Sequence, residues 1–128
     1  MKRLRIYLPI GLAAVLICGL GMMRLRAQDE ELDPVKIAPE MNRLIFENAF
    51  VRVTEERTPA GRSVPRHRHQ RSVIVALSDY DMEQKIYPSG QVTLSHRHVG
   101  EVNWTEPLIH ETHNVGTTNQ SVVRIEPK

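Results

Sequence analysis

Residues 61–77 read GRSVPRHRHQRSVIVAL: a glycine, five residues, the triplet His67-Arg68-His69, a short polar step and then the apolar run Val73 to Leu77. Side chains alternate on an extended chain, so His67 and His69 share one face and can present imidazole nitrogens to a single point. Two readings follow, a pair of metal ligands awaiting a third or two polar residues at a strand's edge, and the rest of the chain must decide between them.

Outward from this stretch the chain keeps a two-residue rhythm. RLIFENAFVRVTEERT (43–58) alternates apolar and polar residues around a Glu47-Asn48 turn, and Pro59-Ala60-Gly61 breaks it. SVIVALS (72–78), DMEQKIY (81–87) and QVTLSHRH (91–98) follow as short strands, the last two joined by Pro88-Ser89-Gly90 as a hairpin. GEVNW (100–104), IHETHN (109–114) and SVVRIEP (121–127) complete seven or eight strands without a helix, which predicts an all-β sandwich or barrel.

The first 27 of the 128 residues read differently. MKRLR is a basic opening, and Ile6 to Met23 is an apolar stretch of 18 residues without a charge. That is longer than the roughly 7 to 15 of a cleaved signal and just reaches the length of a spanning helix, so a signal peptide ending at Ala27 and a retained inner-membrane anchor through residues 6–23 both remain open. Either one implies an exported, periplasmic or otherwise extracytoplasmic protein. Residues 28–42, with two prolines and five acids, read as a linker or N-terminal arm, and 43–128 as the folded domain.

Without the leader's five basic residues the chain keeps 12 against 15 acidic ones, a net charge of −3, and shows no nucleic-acid footprint. The only cysteine, Cys18, lies in the leader, which excludes disulfides and thiolate catalysis from the folded part. Phosphate-binding loops and a nucleophile elbow are missing, and the adjacent acids Glu55-Glu56 read as solvated charge rather than as a paired acid and base.

Gly61, His67 and His69 match without a gap the first half of the first cupin motif, G-x5-H-x-H-x3 or x4-E-x6-G. Gly100, Pro107, His110 and Asn114 follow the order of the second motif, with its His-x3-Asn spacing kept, its proline displaced and its second glycine missing. Together with LIFENAFVRV, Trp104 and the closing SVVRIEPK, residues 43–128 resemble a small single-domain cupin. The resemblance implies a double-stranded β-helix, or jelly-roll, barrel with His67, His69 and His110 as metal ligands and a homodimer as the assembly. The sequence departs from the family where the first motif has its glutamate, at Val73 and Ile74. Val73, taken to share the parity of His67 and His69, is the position where a glutamate is expected to strengthen metal retention.

Three histidines suit Fe²⁺, Zn²⁺, Ni²⁺ or Cu²⁺. The family's three-histidine dioxygenases make a metal-dependent enzyme one reading, and a metal-free barrel holding a small ligand, or acting through its dimer, the other. His96 and His98 also share a face and read as an exposed pair at a strand end, and His113, of opposite parity to His110, should point away from the pocket. Trp104 reads as a core or interface residue.

Overall fold

The computed structural model describes residues 31–128, so the leader, Cys18 and the first residues of the arm lie outside the described residues. Among the described residues no helix is long and apolar enough to cross a membrane.

The alternating stretches form nine strands: β1 (Asn42–Glu47), β2 (Val51–Thr58), β3 (Ser63–His69), β4 (Ser72–Ala76), β5 (Tyr80–Tyr87), β6 (Val92–Arg97), β7 (Val102–Thr105), β8 (Leu108–Asn114) and β9 (Gln120–Pro127). They make two sheets, ordered β1-β2-β9-β4-β7 and β3-β8-β5-β6, with antiparallel pairing throughout. Crossovers between the sheets leave sequence neighbours such as β2 and β3 in different layers, the jelly-roll way of closing an all-β domain.

The turns follow from local chemistry. Asn48 Oδ1 accepts from the backbone N–H of Phe50 and Val51, which folds β1 back on β2. Gly61 and Gly100, the two motif glycines, have φ of +75° and +85°, a left-handed conformation that L side chains rarely adopt. The Gly61 N–H donates to Asn114 O, so the first motif's glycine and the second motif's asparagine meet at one end of the barrel. Asn114 is fully buried there, with Nδ2 donating to Thr58 O and Thr118 O, and Oδ1 accepting from Gly116 N.

The end of the arm is built into the domain rather than leading to it. Asp33 caps the single helical turn α1 (Pro34–Ile37), accepting from Val35 N at 3.0 Å with proline at the first turn. Ala38 and Met41 then bury against Val64, with Ile37 alongside. These apolar residues are too few to set a period amid the charges, which is why the segment reads as a linker.

The second apolar cluster, Ala76, Tyr80, Met82 and Val122 with Ile74 packed on it, sits between the sheets. Much of the remaining interior is polar: Asn42, Thr54, Glu56, Thr58, Ser72, Gln120 and Arg124 are all buried. Polar groups taken out of water cost free energy unless they find partners, so this interior has to be hydrogen-bonded, and it largely is.

Candidate metal centre

His67 and His110 are directly opposed in the β3–β8 ladder, and His69 stands two residues along β3. The register brings all three rings together, with centroids 4.5 Å apart for His67 and His110, 4.8 Å for His67 and His69, and 5.3 Å for His69 and His110. One nitrogen from each lies within 4.8 Å of the others, and each residue is at most 5% exposed. This group could hold a metal ion. The three lie at a cavity of about 70 Å³ between the sheets, which Glu56, Ile74, Tyr80, Gln84 and Arg124 also line.

Hydrogen bonds fix which nitrogen is available. His67 Nδ1 lies 2.7 Å from Pro65 O, and a carbonyl only accepts, so Nδ1 carries the proton and Nε2 keeps its lone pair. His110 Nδ1 meets Gln84 Oε1 at 2.9 Å in the same sense, which leaves His110 Nε2 buried without a partner. The His69 ring sits between two carboxylates, Nδ1 at 3.5 Å from Glu126 Oε1 and Nε2 at 3.9 Å from Glu56 Oε1. Tying off one nitrogen to an oxygen acceptor is how metal-binding imidazoles are oriented.

Burial sets the protonation state. It lowers the pKa of His67, with Arg124 adding to the effect. It drives His69 well below its usual value, helped by Arg124 and the other two histidines. His110 falls to about 2, through burial first and then His67 and Arg124. All three are therefore neutral at physiological pH, the state in which imidazole binds metals. An unpartnered buried nitrogen costs about 1–3 kcal/mol, and a bound cation would relieve that cost, so donor type, protonation and orphaned atoms all fit a divalent ion.

Around the histidines runs a buried ionic layer that the sequence reading missed. Arg124 Nε donates to Glu56 Oε1 at 2.5 Å and Nη2 to Oε2 at 3.4 Å, while Nη1 donates to Ser72 Oγ at 2.8 Å. Glu56, read as solvated, is 7% exposed, whereas its neighbour Glu55 pairs with Arg43 and Arg57 on the outside. Alternation puts one of two adjacent acids inside, and the pairing of Glu56 with Val122 shows which. Burial raises the Glu126 pKa, and Arg52 connects Glu126 to Asp33 through contacts of 3.8 and 2.8 Å. The cap of α1 is thereby linked to His69.

The glutamate-equivalent position also needs correcting. Ile74, not Val73, faces the cavity, since Ile74 pairs with Arg124 and Val73 with Ile125 and Trp104 on the other face. Parity does not carry across the Gln70-Arg71 step, so a glutamate at 73 would project outward and one at 74 toward Arg124. Other candidates lie apart from the centre. His96 and His98 are exposed, at 2.5 Å from Asp81 and 3.9 Å from Asp79. His113 shares a hydrogen bond with Ser63 Oγ on the outer side of β8. Trp104 is not in the core: it is 53% exposed, with Nε1 donating to Glu106.

No protein-family model matches the chain, and no curated protein matches it. Solved structures do. A cupin domain from Bordetella pertussis is 28% identical over 69% of this chain and 92% of its own, with a TM-score of 0.63. A conserved protein with a double-stranded β-helix domain from Klebsiella pneumoniae is 15% identical, with 66% and 73% of the two chains covered and a TM-score of 0.52. A cupin superfamily protein from Desulfitobacterium hafniense is 11% identical, with 68% and 75% covered and a TM-score of 0.50. With its jelly-roll topology, its two motif halves joined at one barrel end and these structural neighbours, the chain has the cupin fold.

Proposed function

We propose that the barrel is a metal-dependent small-molecule site in which His67, His69 and His110 hold one divalent transition ion, with Fe²⁺, Zn²⁺, Ni²⁺ and Cu²⁺ as the candidates. One observation carries the reading: three buried, neutral imidazoles converge, and His110 Nε2 among them has no partner. Pro65 O and Gln84 Oε1 hold the protons of His67 and His110 on Nδ1 of each ring, which leaves Nε2 as the free donor atom. When bound, the ion supplies Lewis acidity toward a molecule occupying the positions the protein leaves open.

The cavity limits that molecule. A volume of about 70 Å³ has room for roughly two waters at liquid density, hence for a ligand of few heavy atoms. Gln84, whose oxygen is taken by His110, keeps its amide N–H groups for an oxygen-bearing ligand, and Tyr80 adds a hydroxyl at the cavity wall. Export or membrane anchoring through the leader remains part of the proposal on the strength of residues 1–27 alone.

The full-length chain, purified without an affinity tag or chelator, is expected to carry about one transition-metal equivalent by mass spectrometry, and the His67→Ala/His110→Ala variant to lose it. Negligible metal in the wild-type chain after reconstitution would favour the metal-free ligand-binding alternative.

A homodimer is the companion proposal, supported by the outer face of the five-stranded sheet. Phe46, Val53, Ile125, Val73 and Trp104 form one continuous cross-strand row there, with Phe46 and Trp104 each 53% exposed. Such an apolar row suits a two-fold contact in which the same patch meets itself. Trp104→Glu is expected to shift the protein from dimer to monomer in light scattering, and a monomeric wild-type chain would contradict the dimer.

A further inference from the structure

β6 and β7 carry their polarity in the reverse of the sense that packing asks for. A strand with one solvated face turns its apolar side chains inward and its polar ones outward. Here Val92, Leu94, Val102 and Trp104 are each more than half exposed, while Ser95, Arg97, Asn103 and Thr105 line the cavity. These four are half-buried, whereas the three histidines are at most 5% exposed. β6 is the last strand of one sheet and β7 the last of the other, so the cavity meets solvent between them across a polar rim.

Arg97 is the charged member of that rim. Its Nη1 donates to Glu101 Oε1 at 2.9 Å, Asn103 Nδ2 donates to the same oxygen at 3.2 Å, and the His98 N–H donates to Oε2 at 3.1 Å. Glu101 thereby holds Arg97 beside Tyr80, its direct partner in the β5–β6 ladder. Nε and Nη2, the two donors of the other guanidinium edge, take no hydrogen bond among the described residues. Deeper in the cavity Arg124 is matched by Glu56. Three neutral imidazoles contribute no charge, so an ion held by them would keep its full +2 in a lining with no anion to spare. A buried charge without a counter-charge is costly.

We infer that the cavity takes a small carboxylate and that Arg97 selects it at the rim. The inference rests on the metal reading for one of the two positive charges that favour an anion, and on Arg97 alone for the other. A guanidinium edge offers two parallel N–H groups that match a carboxylate, and a neutral molecule of the same shape accepts them less strongly. The cavity of about 70 Å³ restricts the ligand to few heavy atoms.

The test compares acetate with acetamide, its uncharged counterpart of equal heavy-atom count. Both are titrated calorimetrically into the zinc-loaded full-length chain in carboxylate-free buffer, for the wild type, Arg97→Gln and Arg97→Lys. Acetate is expected to bind the wild type at least about tenfold more tightly than acetamide, and Arg97→Gln to lose about tenfold in acetate affinity with acetamide unchanged. Arg97→Lys, a point charge without the fork, should recover part of that loss. No saturable acetate binding, no preference over acetamide, or a preference that Arg97→Gln leaves intact would each overturn the inference. Equal losses for the two molecules would give Arg97 a purely structural role and overturn it as well. Zinc content measured beside each titration keeps the two readings apart. A chain that holds no ion removes the metal reading, and the same titrations on it then decide the role of Arg97: a preference for acetate abolished by Arg97→Gln supports it, and no preference overturns it.

Discussion

Replacing Arg124 with methionine is expected to cost about 3–5 kcal/mol of folding free energy. Arg124 is 4% exposed and gives hydrogen bonds to Glu56 and Ser72. Without it, Glu56 becomes a buried carboxylate without its counter-ion, and an uncompensated buried charge is among the few changes that routinely destabilise by this much. The pair as such is a different matter, because desolvation consumes most of what two buried ions gain from each other. Glu56→Leu/Arg124→Met is therefore expected to recover a large part of the loss. Urea unfolding of the wild type and the two variants checks both statements, and a single variant within about 1 kcal/mol of wild type would show that water reaches Glu56.

The metal-free protein is expected to be acid-labile well above the range where carboxylates titrate. The folded pKa of His110 is about 2, and those of His67 and His69 are also lowered, while in the unfolded chain all three take a proton near the usual value of 6.5. Below that value the unfolded state binds more protons than the folded one, so stability falls as pH falls. The slope is about 1.4 kcal/mol per pH unit for each histidine, so His110 alone removes about 2–3 kcal/mol between pH 6.5 and 4.5. Glu126, whose pKa is raised by burial, works in the opposite direction and offsets part of this. Above pH 6.5 the histidine contribution is constant. Urea midpoints of chelator-treated protein at pH 8, 6.5, 5.5 and 4.5 should therefore be level over the first two and decline over the rest. A level profile down to pH 4.5 would mean that the imidazoles are far more hydrated than their burial implies.

Alternation, turn residues and the His-x-His spacing make an all-β domain and the pair His67 and His69 legible in the sequence, because each rests on short-range rules, while His110 and the jelly-roll closure are what the cupin resemblance implies. Asn48 and the motif glycines mark turns by their own chemistry, and two residues on one strand must share a face. What stayed hidden depends on which face is inward. Glu55 and Glu56 are equivalent in sequence, and only their registers with Val123 and Val122 of β9 send one outside and the other into the cavity. Val73 and Ile74 are ambiguous in sequence for the same reason, since two residues between β3 and β4 reset the parity. Arg124 carries no local signal, because it reads as one polar residue of an alternating strand until Glu56 is placed opposite it. The packed segment from Asp33 to Met41 carries no such signal, because a single helical turn and three buried residues are too short to set a period.

The central claim is that His67, His69 and His110 share one ion, and anomalous diffraction from crystals of the metal-loaded full-length chain tests it most directly. The account predicts one peak in the cavity, about 2.0–2.2 Å from a ring nitrogen of each of the three histidines. A peak at His96 and Asp81 on the surface instead, or no peak in the cavity of fully loaded protein, would contradict it.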